Sequence, residues 1–296
     1  MVLMNNQDNN QNTTGIIFMI LAMAGFALED LFFKIMGNTW SPMQILMVVG
    51  FLGGCTYAII ARMQGINVFD PKLLDPKALF RMFCEVAGTL AYSSAVILGS
   101  VSLASTMIQA MPLLVTMGAA IFLGEQVGWR RWTAILIGLF GVILVMEPWS
   151  AEFSYYTLLA FLGVIGLSAR DLVTRVIRQD IPSISLATWG FWSIVPTSLI
   201  FLAFGQKFTA STTGIALPII GALFFGLIGY YLLIRAMRIG DIAVITPFRY
   251  SRLIFGGMIG VLIFGEKLST SAIIGAIIIL ITGIYTFMRE RKLKGK

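Results

Sequence analysis

Asp30-Leu31-Phe32-Phe33-Lys34 returns 141 positions later as Asp171-Leu172-Val173-Thr174-Arg175, and the reading of that echo decides the fold. The same shift lays Gly99 on Gly240 and Gly124-Glu125 on Gly265-Glu266. One residue off that register, Pro42 and Gly50-Phe51 fall on Pro182 and Gly190-Phe191. A single match means little. Several in nearly constant register along the whole chain mark a duplication. Duplicated membrane proteins tend to be transporters, because two similar halves can rock about a site held between them.

The composition places the chain in a bilayer. Apolar residues make up 58% of its 296 positions and charged ones 12%, about half the share of a soluble domain. Mean hydropathy is +0.89, more apolar surface than a soluble fold of this length could hide. The net charge of +7 does not point to nucleic acid, because the basic residues sit between apolar runs and at the tail. Cys55 and Cys84 lie in or beside apolar segments, which argues against a disulfide framework. The absence of histidine removes the commonest metal ligand and proton relay. Neither a metal nor a cofactor is expected.

Residues 1–14, rich in Asn and Gln, read as a disordered lead. They lack a cationic n-region, so the first apolar run reads as a retained helix and not a signal peptide. Spanning runs then fall roughly at Gly15–Met36, Met43–Ala61, Met82–Leu98, Val101–Leu123 and Trp132–Met146. A second set falls at Tyr155–Ile177, Ser183–Phe204, Gly214–Met237, Ile242–Phe264 and Ser271–Met288. The expectation is an all-α membrane protein of ten transmembrane helices. One repeat occupies 15–148, the other 149–288, and 289–296 forms a basic tail.

With the N-terminus inside, fifteen of the 21 Lys and Arg fall on inner segments, among them Arg62, Arg81, Arg130, Arg178, Arg235 and the tail through Lys296. Only Lys34, Lys207 and Lys267 fall outside, and Arg170, Arg249 and Arg252 lie within helices. That bias puts both termini in the cytoplasm and the chain in the cytoplasmic (inner) membrane. Because five is odd, the second repeat enters from the opposite side, making an inverted-topology repeat whose halves can exchange inward-open and outward-open shapes.

Ten helices in two halves, Gly124-Glu125 and Gly265-Glu266 after the fourth helix of each, and Pro247-Phe248-Arg249-Tyr250 opening the ninth together resemble the drug/metabolite transporter superfamily, in its EamA-domain branch. The resemblance covers roughly 15–288 and implies a secondary transporter of small metabolites such as amino acids, nucleoside-like compounds and vitamins. The first half departs from it, with Thr106-Met107-Ile108-Gln109 where the second has Pro247 to Tyr250. The second half is therefore expected to supply more of the polar contacts.

Arg249 and Arg252 sit one turn apart near mid-membrane, where each costs about 3 kcal/mol unless it meets a cavity or a partner. They are expected to line the cavity and attract a carboxylate or phosphate; the alternative is a fixed ion pair with an intramembrane acid. Asp30 and Lys34 can pair along one face, while Lys34 and Arg175 read as snorkelling ends. Glu29, Asp30, Arg170 and Asp171 are expected to act in gating or coupling. Glu29 and Asp30 also offer counter-ions for Arg249 or Arg252, and proton coupling at a buried carboxylate stays open. Glu125 and Glu266 are expected to cap the helices that follow them, and Arg81 is the obvious partner of Glu85. Tyr92, Trp189, Tyr230, Tyr250 and Gln109 are expected to contact substrate from a hydrated chamber. Pro112, Pro196 and Pro247 should bend their helices.

The sequence thus reads as an alternating-access carrier of a small polar organic solute, carboxylate-bearing or zwitterionic, working as a monomer or homodimer. No Gly-x-Ser-x-Gly, nucleotide loop or soluble catalytic domain is present, which speaks against an enzyme and against ATP drive. A channel, or a non-transport membrane component with structural ion pairs, is the alternative.

Overall fold

The computed structural model describes residues 2–151, 153–177, 180–204, 208–210, 214–239 and 242–294. Gly240, Arg178, Lys207 and Lys296 of the sequence argument lie outside them, as do the side chains of Arg175, Arg238, Arg291, Lys292 and Lys294. Helices are the regular structure of the described residues, with no strand among them. The first half comprises α1 (Val2–Met36), α2 (Pro42–Met63), α3 (Pro76–Leu98), α4 (Val101–Phe122) and α5 (Trp129–Met146). The second comprises α6 (Tyr155–Val176), α7 (Ser183–Ala203), α8 (Ala216–Ile239), α9 (242–263) and α10 (Thr270–Lys294).

Eight of these segments are long and apolar enough to cross a membrane. The other two are α3, which carries Lys77, Arg81 and Glu85, and α9, which carries Arg249 and Arg252. Two starts differ from the sequence expectation. The Asn/Gln-rich lead, expected to be disordered, forms the first turns of α1; it has no Gly or Pro, and extending a helix is cheaper than nucleating one. In turn, α3 begins at Pro76 and not Met82, because the Asp75 side chain accepts from the Lys77 amide and proline fits the first helical turn.

Both fourth helices break midway. α4 passes through a 3₁₀ turn at Ile108–Ala110 ahead of Pro112, and α9 through one at Thr246–Tyr250 that contains Pro247. Each proline withholds a backbone donor where the chain tightens. Pro196 lies inside the unbroken α7.

The helices pair across the halves: α1 with α8, α3 with α6, α2 with α7, α5 with α10, and α4 with α9. Exchanging the halves turns the α1–α8 pair into the α6–α3 pair and returns each of the others to itself. Residue detail obeys the same exchange. At the α1–α8 crossing a Cβ on Gly25 would lie 3.2 Å from the Cα of Gly229. At the α6–α3 crossing a Cβ on Gly166 would lie 2.8 Å from the Cα of Gly88. These four glycines are two further pairs in the 141-residue register. In a membrane, such small residues let helix backbones touch.

The Gly-Glu corners also match. Gly124 and Gly265 adopt φ of 70° and 65°, a region that glycine enters without strain. Behind them, the Glu125 amide donates to Ala119 O at 3.1 Å and the Glu266 amide to Gly260 O at 2.9 Å. Ala119 and Gly260 are again 141 apart.

Gly166→Val should separate α6 from α3 and cost about 1–3 kcal/mol. Gly257→Ala, where a Cβ meets nothing within 4 Å, should be neutral or slightly stabilising. Thermal melting of the purified protein checks both.

Candidate functional site

Three adjoining cavities of about 230, 360 and 970 Å³ run between the halves, and Tyr230 of α8 lines all three. The widest ends among Gln64 and Ile66 after α2, Ser183 at the start of α7, and Arg235 and Ile239 at the end of α8. The innermost is bounded by Glu29, Asp30, Tyr92, Phe191, Arg249 and Arg252 among others. Chambers of this size suit small organic molecules.

At the inner end, Asp30 is buried and accepts from Arg252 Nη2 at 2.7 Å and from the Tyr92 hydroxyl at 3.3 Å. The Arg252 guanidinium lies between the Phe26 and Tyr92 rings, 5.4 and 5.6 Å from their centroids. Ion pair and π faces together replace the water that the cation gives up. Asp30 is therefore committed to Arg252 and not to Lys34. Lys34 Nζ instead donates to the Gly99 carbonyl.

Nearer the mouth, Glu85 bridges two arginines, with Arg81 Nη2 at 2.8 Å and Arg170 Nη1 at 2.7 Å. Arg170 Nη2 also reaches Asp171 Oδ1 at 2.8 Å. Arg81 Nε donates to Thr174 Oγ1 at 3.1 Å. The sequence pairing of Arg81 with Glu85 is present; the bridge to Arg170 was not anticipated. Gly190 makes room for it, since a Cβ there would stand 3.1 Å from Glu85 Oε2.

Arg249 lines this region and the innermost cavity, and its guanidinium makes no hydrogen bond or salt bridge among the described residues. Asp171, Arg170 and Arg252 are its charged neighbours. Glu29 also faces the innermost cavity without a hydrogen bond or salt bridge among the described residues.

Three expected substrate contacts lie off the chamber. Tyr250 is buried against Gly283 of α10, Gln109 is buried and directs its amide to the Arg249 carbonyl at 3.5 Å, and Trp189 donates to Val68 O at 2.6 Å and packs on Phe69 and Trp192. Arg249 and Arg252 are three apart, one turn of the 3₁₀ geometry there, so they share a face that Tyr250 leaves. Sequence reasoning missed Phe26 and Phe191. Phe191, the repeat mate of Phe51, was the one that register could have flagged.

At the opposite face the halves are tied together. Glu266 accepts from the Val101 and Ser102 amides at 2.8 and 2.9 Å and from the Ser100 hydroxyl at 2.7 Å. It caps α4, a helix of the other half, and not α10 as expected. The corner points Glu266 across the interface, where the unpaired amides and positive dipole end of α4 receive it.

A helical bundle built for a bilayer, folded as two matched halves around a charged chamber, is a multi-pass membrane transporter. The chain belongs to the EamA-like transporter family, whose model matches residues 13–147 and again 154–288. It is 21% identical to the S-adenosylmethionine uptake transporter of Rickettsia felis over 285 residues, 94% of each chain. It is 27% identical to the riboflavin transporter of Vibrio cholerae over 182 residues, 61% of this chain and 60% of that one. A protein of known crystal structure shares the fold with a TM-score of 0.64 at 16% identity, covering 95% of this chain and 98% of that one.

Arg252→Ala should leave Asp30 buried and uncompensated and cost about 3–5 kcal/mol. Arg249→Ala breaks no ion pair and should leave the melting temperature within error of wild type. Equal destabilisation of the two variants would contradict this division of roles.

Proposed function

We propose that this transporter carries a small polar organic metabolite across the cytoplasmic (inner) membrane as a secondary carrier, by alternating access. In this reading all ten helices cross the bilayer, in inverted repeats over 15–148 and 149–288, with both termini in the cytoplasm. The exchange symmetry of the helix pairs supports the repeat, since five crossings per half force the two halves to opposite orientations. The bias of Lys and Arg supports the orientation. It makes the chamber's mouth cytoplasmic and the face tied by Glu266 external, so the molecule stands inward-open.

One observation carries the reading: a chamber between the halves that reaches one face, while at the other Glu266 ties the second half to the start of α4 in the first. An open channel would join both faces. Two relatives are named for S-adenosylmethionine and riboflavin, each a small metabolite with a planar heteroaromatic ring. The rings of Phe191 and Tyr230 beside the chamber offer stacking surface for such a group. Arg249 would hold an acidic group of the cargo, with Arg170 and Asp171 at a gate on the cytoplasmic side and Asp30 and Arg252 at one on the external side.

Purified protein in liposomes should accumulate labelled S-adenosylmethionine or riboflavin above empty liposomes, with a saturable rate. A rate that rises with a pH gradient would identify proton coupling. Equal counts in both preparations for both compounds would contradict the proposal for this class of cargo. Glu266→Gln should weaken the external tie and slow net uptake at least several-fold.

A further inference from the structure

The duplication makes a specific comparison possible between the two charged clusters. In the second half's arrangement, Arg170 of α6 forms its ion pair with Glu85 of α3 at 2.7 Å. Exchanging the halves sends Arg170 to Glu29 of α1 and Glu85 to Gly226 of α8, both at the 141-residue shift. The contact survives that exchange: a Cβ on Gly226 would lie 2.5 Å from Glu29 Oε1. The α1–α8 pair therefore places a carboxylate where α6 has its arginine, against a residue with no side chain. One ion pair of the symmetric set has been emptied on one side.

The charge balance of the chamber points the same way. Around Glu29 stand Asp30 and Arg252, so two carboxylates share one cation, and that cation is bound to Asp30 at 2.7 Å. Nearer the mouth stand Arg81, Arg170 and Arg249 against Glu85 and Asp171, so three cations share two carboxylates. Arg249 is the one left over. Glu29 and Arg249 are thus the carboxyl and the guanidinium left without an ion pair among the described residues, and both line the innermost cavity. Unpaired groups of both signs in one low-dielectric cavity favour a solute that brings the opposite of each.

We infer that Glu29, whose carboxylate packs against Gly226 and faces the innermost cavity, is a cation subsite. Arg249 is the matching anion subsite, and the cargo is a metabolite that carries a positive centre and a carboxylate on one molecule. This deepens the transport reading and rests on it. It also separates the chamber's charges by role: Asp30–Arg252 and Glu85–Arg170 are already satisfied, whereas Glu29 and Arg249 wait for the solute. An ammonium or sulfonium would sit against Glu29, with a carboxylate on the Arg249 side.

The test compares wild type, Glu29→Gln and Gly226→Ala, each as the full chain. Binding is measured by thermal shift and fluorescence titration, uptake in proteoliposomes. Four probes are used: S-adenosylmethionine and glycine betaine, which carry both charges, malate, which carries only carboxylates, and riboflavin, which carries neither. Glu29→Gln keeps the shape, breaks no ion pair and should melt at or above the wild-type temperature. It should bind both doubly charged probes at least about tenfold more weakly while leaving malate and riboflavin unchanged. Gly226→Ala should push on the carboxylate and weaken the same two probes without altering any charge. Unchanged affinity of Glu29→Gln for both doubly charged probes overturns the subsite, as does wild-type protein that binds neither. A variant that loses only its dependence on a pH gradient, with those affinities intact, gives Glu29 to a proton and overturns it too. If the binding differences appear but wild type takes up nothing, the subsite stands and the transport reading falls.

Discussion

A guanidinium or carboxylate in the hydrocarbon of a bilayer survives only against an opposite charge or water. That constraint organises the interior of this molecule. Arg252 is closed off by Asp30 and two aromatic rings, and Glu85 is held between Arg81 and Arg170. Asp30–Arg252 joins α1 to α9 and Glu85–Arg170 joins α3 to α6, each across the two halves. The same contacts that neutralise the interior therefore define how the halves sit against each other. A relative movement of the halves must break or re-form them.

The duplication supplies the scaffold, and departures from it supply the chemistry. Where the copies agree, they build structure: glycine crossings at Gly25–Gly229 and Gly88–Gly166, corners at Gly124 and Gly265, and helix breaks in α4 and α9. Where they differ, a charge is left facing the chamber. Glu29 opposes Gly226 while its mate Arg170 meets Glu85, and Arg249 has Ile108 as its mate in α4. A symmetric chamber would balance itself and attract little. On the reading proposed above, an asymmetric one keeps Glu29 and Arg249 for a solute.

Much of this was legible in the chain. Alternating apolar runs and the Gly-Glu corners announce the helices and the duplication, because span length and left-handed glycine turns are local properties. Which side chain meets which is not local. The spacing of Asp30 and Lys34 suits an ion pair along α1, yet Asp30 finds Arg252 on another helix and Lys34 finds a carbonyl. Tyr250 adjoins Arg249 in sequence, but the 3₁₀ turn rotates it onto α10. Glu266 reads as a cap, correctly in kind, but it serves α4 across the interface. Trp189 and Gln109 are aromatic and polar enough for a binding site, and both are consumed by packing and backbone contacts.

The central claim is that two matched bundles enter the membrane in opposite senses around the chamber. Gln126 and Lys267 are exposed repeat mates beside the two Gly-Glu corners. With Cys55 and Cys84 replaced, single cysteines at these positions can be labelled in intact cells by a thiol reagent that does not cross membranes. Labelling of Lys267→Cys from outside, with Gln126→Cys reached only after lysis, is the predicted result. Labelling of both from the same side would contradict it.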